Sequence, residues 1–268
     1  MTIAVCAKVS EGLVLGADSL MIVEDIDSQM KKPIVANTFK NVKKLHQLEG
    51  YPIGILSWGT ESIGPRNIVS LVDEFDHSLP DYNDNIDYTV EEISQSFFNF
   101  IKKKCEKINP ERLKRFELGI AINGFSRGEF FPNEFKFTLP FSTKIEEVRP
   151  NDSNGNPSFG VSWYGRYDAI VRLHMGCDFG LRMEITEILL KKGMEIEEIN
   201  KIFSEYEYSS NFSSMPLQDA INFVSYLINL MCGRCRFYSG TPFCGGPIDI
   251  AVITYKGFKW IKSKEWKV

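Results

Sequence analysis

A chain of 268 residues with 43 % hydrophobic content can bury one large core, and a prior of roughly 150 residues per domain allows one or two domains. Its 31 Lys and Arg against 35 Asp and Glu leave a formal net charge of −4 with no long basic run, which argues against a nucleic-acid or anionic-membrane surface. No charged, apolar leader and no stretch of about 18 apolar residues is present, so a cytoplasmic protein is expected.

The first elements are the most legible. Thr2 to Val9 and Leu13 to Ser19 are apolar, β-branched runs around the turn Ser10-Glu11-Gly12, which predicts a hairpin that begins at the amino terminus. Met21 to Thr38 is polar and reads as a long connection with a short strand at Ile34-Val35-Ala36. Val42 to Leu48 alternates sides, Glu49-Gly50 turns, and Tyr51 to Trp58 returns as an apolar strand that stops at Gly59. Thr60 is placed to cap a helix running to about His77, with Pro65 in its early turns. Thr89 starts a second amphipathic helix, carried by Ile93, Phe97, Phe98, Ile101 and Cys105 to about Asn109.

Strands are then expected at Phe116 to Asn123, Phe130 to Leu139, Lys144 to Val148 and Phe159 to Trp163, with a turn at Asn151 to Pro157. Helical patterns cover Tyr167 to Phe237, interrupted near Gly193 and at Tyr208 to Pro216. Pro247 to Tyr255 and Gly257 to Ile261 close the chain as a hairpin. Strands, helices, strands, helices, strands is an order that suits two antiparallel sheets enclosed by helices better than alternating β-α units, so the expected class is α+β. No repeat or linker marks a boundary, and residues 1–268 are expected to form a single domain.

The candidate chemistry sits at the start. Loss of Met1, which a small second residue favours, would leave Thr2 with a hydroxyl and a free α-amine on one residue, a nucleophile beside its own base. Three stretches share a pattern: Thr2-Ile3-Ala4-Val5 through Gly16-Ala17-Asp18-Ser19, then Val42-Lys43-Lys44-Leu45-His46-Gln47, then Gly245-Gly246-Pro247-Ile248-Asp249-Ile250-Ala251-Val252-Ile253. In them the chain resembles the proteasome β-subunit superfamily of N-terminal nucleophile hydrolases, in particular its bacterial stand-alone members.

The resemblance implies a four-layer αββα sandwich with Thr2 as nucleophile, Asp18 and Lys44 as its charged partners, and the Gly59 N–H as oxyanion donor. It also implies a supporting group at Ser19, Tyr164, Thr241, Cys244 and Gly245. Tyr164 stands where the family carries serine, Thr241 and Cys244 replace an aspartate and a serine, Leu20 replaces a basic residue, and the Asp18 to Lys44 connection is longer than usual. Taken singly, Asp18 also reads as a turn residue, Lys44 as a solvated strand lysine, and Gly59-Thr60 as the start of a helix.

The function expected is threonine-type amide hydrolysis of a peptide or smaller amide substrate, without metal or other cofactor, in a homo-oligomer; whether an ATPase feeds it is not legible. The alternative is a catalytically inactive subunit that keeps the sandwich for assembly. Six scattered cysteines suggest free thiols rather than a disulfide framework. Cys232-Gly233-Arg234-Cys235 has metal or redox spacing but no second pair, which favours packing at a helix end over a zinc site. His46, His77 and His174 are scattered and suggest no Ser/His or Cys/His triad.

Overall fold

A computed structural model describes residues 2–26, 33–80, 86–106, 108 and 116–264. The first ten strands run in chain order as β1 (Ile3–Val9), β2 (Gly12–Ala17), β3 (Met21–Ile26), β4 (Pro33–Phe39), β5 (Leu45–Gln47), β6 (Ile53–Gly59), β7 (Ser62–Ile63), β8 (Arg66–Asn67), β9 (Leu118–Gly124) and β10 (Asn133–Leu139). They are followed by β11 (Glu146–Glu147), β12 (Gly160–Gly165), β13 (Asp249–Thr254) and β14 (Gly257–Lys262). The helices are α1 (Ile68–Asp76), α2 (Val90–Cys105), α3 (Asp168–Met175), α4 (Phe179–Lys191), α5 (Ile196–Ser204) and α6 (Leu217–Phe237). The class is α+β, as expected. Among the described residues no helix is long and apolar enough to cross a membrane.

Two five-stranded antiparallel sheets dominate, ordered β12-β1-β2-β13-β14 and β11-β10-β9-β6-β5. Every residue of β1 and β2 is buried, which is why both strands read as continuous apolar runs rather than alternating ones. Alternate residues of β1 serve different cores: Ile3, Val5 and Val9 join Val224, Leu227 and Met231 of α6, whereas Ala4 and Cys6 join Leu45, Leu56 and Trp58 of the other sheet. A third cluster covers the second sheet with α1 and α2, where Phe75, Phe97 and Phe137 meet Ile55 and Ile120.

Several sequence expectations change. Met21 to Thr38 holds a full hairpin, with β3 and β4 paired from Met21↔Phe39 to Ile26↔Pro33, rather than a connection with one short strand. Thr60 does not cap the first helix. A small β7-β8 hairpin intervenes, and the Asn67 side chain accepts from the Ser70 N–H at 2.9 Å to start α1. The second helix begins where expected, with a reciprocal Thr89–Glu92 capping box, and ends at Cys105. The extension toward Asn109 falls partly outside the described residues. The long helical region breaks additionally at Gly176, whose φ of 73° is a left-handed helix stop.

One buried side chain gives the fold a pH signature. His46 lies in β5 almost fully buried, and its Nε2 has no hydrogen-bond partner among the described residues. Burial, then the charges of Lys43 and Lys264, lower its pKa from 6.5 to about 3. The unfolded imidazole therefore gains its proton near pH 6.5 while the folded one does not. His46 contributes full stability above that pH and loses it as pH falls toward 3, at about 1.4 kcal/mol per pH unit. Urea unfolding at pH 6.5 and pH 5 is expected to show wild type losing about 2 kcal/mol more than a non-titrating His46→Asn variant. Parallel losses in the two proteins would contradict this.

Candidate active site

The two hairpins bring four of the sequence-predicted residues to one end of the sheets. Thr2 immediately precedes β1, Asp18 follows β2, Lys44 precedes β5, and Gly59 closes β6. Thr2, Asp18 and Lys44 are all fully buried. Asp18 is the organising group. Its Oδ1 accepts from Lys44 Nζ at 2.9 Å and from the Ile3 N–H at 3.1 Å; its Oδ2 accepts from the N–H groups of Gly245 at 2.8 Å and Leu20 at 3.3 Å. Four donors supply both carboxylate oxygens with hydrogen bonds in place of water. One of its oxygens thus holds both the ammonium of Lys44 and the backbone of the residue after Thr2.

Lys44 Nζ also donates to the Leu20 carbonyl at 2.6 Å and lies 3.9 Å from Glu61 Oε1. Glu61 was not foreseen. Its carboxyl is largely buried, Oε1 accepts no hydrogen bond, and burial raises its pKa against the lowering effect of Lys44. The only signal for it was position, two residues past the strand-ending Gly59. Thr2 Oγ1, in contrast to the satisfied Asp18, is a buried hydroxyl with no hydrogen-bond partner among the described residues. Met1, whose loss the sequence analysis expects, lies outside those residues.

Backbone packing sets Thr2 in place. The Thr2 carbonyl accepts from the Arg166 N–H at 2.6 Å, and Gly165, with φ of 79°, crosses so close that a Cβ there would stand 2.1 Å from that carbonyl oxygen. Gly59 is constrained in the same way: its φ is 87°, and a Cβ would meet the Glu117 carbonyl oxygen at 2.1 Å. Only glycine fits either position.

The supporting residues divide. Ser19 donates through its hydroxyl to the Pro247 carbonyl and through its N–H to the Gly245 carbonyl at 3.0 Å, so Ser19 and Gly245 together build the loop that grips Asp18. Cys244 is buried against Cys235, and Thr241 is exposed. Neither side chain hydrogen-bonds Asp18 or Lys44.

Tyr164 belongs elsewhere. Its hydroxyl donates to Glu134 Oε1 at 2.6 Å and its ring stacks on Trp58 with centroids 4.4 Å apart. Glu134, fully buried on β10, also takes Ser162 Oγ at 3.0 Å and Arg149 Nη1 at 3.1 Å, so this network ties the two sheets together. Burial raises the Glu134 pKa, and the Arg149 charge and the two hydroxyls oppose the rise. Tyr164→Phe is expected to lower stability by about 1.5–3 kcal/mol, the worth of a hydrogen bond to a charged group, and to leave per-molecule hydrolysis unchanged. Thermal unfolding alongside a rate assay separates the two effects, and a large rate loss at unchanged stability would place Tyr164 in the chemistry after all.

No group of three or more His, Cys, Asp and Glu side chains among the described residues is placed to hold a metal ion. The arrangement among the described residues is a buried cation fixed by a carboxylate that also holds the backbone N–H of the residue after Thr2, whose own hydroxyl is buried without a partner among those residues. Such a site can stabilise an alkoxide or repel a second positive charge.

Solved structures of similar layout include a mutant of Anbu from Hyphomicrobium sp. strain MC1, 14 % identical, covering 99 % of this chain and 86 % of that one with a TM-score of 0.58. Anbu itself from the same strain is 15 % identical over 98 % and 88 %, with a TM-score of 0.53. Anbu from Yersinia bercovieri, described as an ancestral beta-subunit, is 12 % identical over 98 % and 87 %, with a TM-score of 0.51. No family model and no curated protein matches the chain.

These comparisons correct the family assignment. Membership in the proteasome β-subunit superfamily, as a bacterial stand-alone member, rested on three short stretches. Across the whole chain no family model supports it, and at 12–15 % identity the Anbu structures share a layout, here two antiparallel sheets with few helices, and nothing finer. The residues that carried the resemblance lie in short segments at β1, β2, β5 and β13, and short local matches of that kind do not extend to a chain of 268 residues.

Proposed function

We propose that this chain is a threonine-type hydrolase of amide bonds, with peptides as the substrate class, and that it acts once Met1 has been removed. The observation that carries the reading is the fully buried Asp18–Lys44 pair, fastened through the same Asp18 oxygen to the backbone beside Thr2, whose hydroxyl has no partner among the described residues. A buried ion pair is expensive to desolvate and a buried unpaired hydroxyl is expensive too. Both costs in one place suit a reaction centre better than a structural joint.

In this reading the Thr2 hydroxyl oxygen attacks the amide carbonyl. Its proton passes to the neutral α-amine of the same residue, whose reference pKa of about 7.7–8 suits a base near neutral pH. Lys44 favours the alkoxide and disfavours protonation of the neighbouring amine, while Asp18 holds Lys44 in place. The Gly59 N–H supports the oxyanion, a donor type whose loss costs roughly 100- to 1000-fold in rate. The proton returns to the departing amine, an ester forms on Thr2, and water releases the acid with the α-amine again as base. Ser19 and Gly245 position Asp18. Tyr164, Thr241 and Cys244 are left out of the catalytic group.

The sheets and the helices on their outer faces are read as a four-layer sandwich, in one domain, assembling as a homo-oligomer. The likeness in layout to a protein described as an ancestral beta-subunit supports that reading without specifying a substrate.

Hydrolysis of a panel of fluorogenic peptide amides by wild type and by Lys44→Met tests the reading. Turnover in wild type and a loss of at least ~1000-fold in the variant is the expected pattern, in line with the loss of an electrostatic stabiliser and base-tuning group together. Equal rates, or no turnover by protein shown to begin at Thr2, would favour the inactive assembly subunit.

A further inference from the structure

The Cys232-Gly233-Arg234-Cys235 sequence is not absorbed by the hydrolase reading. The end of α6 folds against the loop before β13, and Cys235 Sγ meets Cys244 Sγ at 2.7 Å, both residues buried. Cys232 is partly exposed. The neighbouring thiol of Cys232, then burial, pushes the Cys244 pKa well above the ordinary thiol range. All three sulfurs are free thiols. A cleft of about 580 Å³ opens on them, lined by all three cysteines together with Lys40, Arg236 and Gly245. Two thiols in contact and a third lining the same cleft, whose wall also carries two cations, are more than helix-end packing needs.

We propose that this cluster is a thiol–disulfide exchange site that takes an anionic small-molecule disulfide of the glutathione type and comes to rest with a bond between Cys235 and Cys244. Cys232 attacks the small disulfide, and one small thiol leaves with a proton. Cys244 displaces the second small thiol and takes the bond to Cys232. Exchange with Cys235, its nearest sulfur, moves the bond to Cys235–Cys244 and returns Cys232 to the thiol. Overall, two cysteine hydrogens and two electrons pass to the small disulfide, which leaves as two thiols. Lys40 and Arg236 supply the attraction for the carboxylates of the incoming molecule.

A consequence for catalysis rests on the hydrolase reading above. Cys244 directly precedes Gly245, whose N–H holds Asp18, so the bond would anchor the Asp18 loop to α6.

The test is chemical and does not depend on hydrolysis. Purified full-length protein is incubated with glutathione disulfide, denatured under acid, and its thiols counted and mapped. The expected result is two fewer free thiols than in reduced protein, a mass lower by two hydrogens, and a tryptic link joining the peptide of Cys235 to that of Cys244. Arg234 lies between Cys232 and Cys235, so the two helix cysteines fall on different peptides.

Cys244→Ser and, as a second variant, Cys244→Ala are expected to stop at a glutathione adduct on Cys232, while Cys105→Ser forms the internal link as wild type does. Reversing the cations with Lys40→Glu and Arg236→Glu is expected to slow oxidation by glutathione disulfide about 10-fold without slowing oxidation by the uncharged hydroxyethyl disulfide. No loss of thiols, a wild-type adduct that never resolves, or a link that omits Cys244 would overturn the exchange site. Equal slowing with both oxidants would overturn its preference for an anionic one.

Discussion

Thr2→Val is expected to abolish hydrolysis and, at the same time, to make the protein more stable. Thr2 Oγ1 is buried with no partner among the described residues, and an unsatisfied buried hydroxyl costs about 1–3 kcal/mol relative to an apolar group of the same shape. Valine keeps the branched shape and fills the same space without the oxygen, so that cost disappears. The reaction loses its nucleophile, a change of about a millionfold in enzymes where nucleophile and base act as a unit. Opposite movements of stability and activity on one substitution mark a residue retained for chemistry rather than for packing. Urea unfolding and single-substrate rates on proteins with identically processed amino termini provide the measurement. A destabilised Thr2→Val variant would show that the hydroxyl has a structural partner, and retained turnover would remove Thr2 from the mechanism.

The second large effect is expected at Asp18, where Asp18→Ala should cost about 3–5 kcal/mol, the usual penalty for breaking a fully buried ion pair. Lys44 would keep the Leu20 carbonyl and the more distant Glu61, but its direct counter-charge would be gone. Three backbone N–H groups, of Ile3, Leu20 and Gly245, would lose their acceptor in the same step. Asp18→Ala combined with Lys44→Met removes both charges, and most of the loss that came from taking the carboxylate away from the buried ammonium should then be recovered. A double-mutant cycle by chemical denaturation isolates that coupling. Additive losses in the double variant would mean that the two groups do not depend on each other, contrary to their 2.9 Å contact.

Sequence reasoning reached the first and second hairpins because these are short-range facts, runs and turns separated by few residues; the convergence of Asp18 with Lys44, 26 positions apart, came only from the family resemblance. It missed what depends on two distant segments meeting. Glu134 alternates with Phe135 and Phe137 and so reads as a solvent-facing residue of β10, yet that face looks onto the other sheet, where Tyr164, Ser162 and Arg149 satisfy it. Tyr164 was placed by alignment of motifs near Thr2, but along β12 it pairs with Ala4 rather than Ile3 and so points between the sheets to Glu134. The β3–β4 hairpin was hidden by its polar composition, since a strand pair outside the main sheets needs no apolar period. Thr60 and Asn67 are both good caps by type, and only the turn between them decided which one starts α1.

The central proposal is a free α-amine and hydroxyl on Thr2, and one measurement bears on it directly. Purified wild-type protein is treated with a β-lactone, an electrophile that acylates hydroxyl nucleophiles, and the mass of its amino-terminal peptide is determined before and after. The account predicts a peptide that begins at Thr2 and gains one acyl group on that residue, a gain absent from Lys44→Met. A peptide that still begins with Met1, or label found only at other residues, would contradict it.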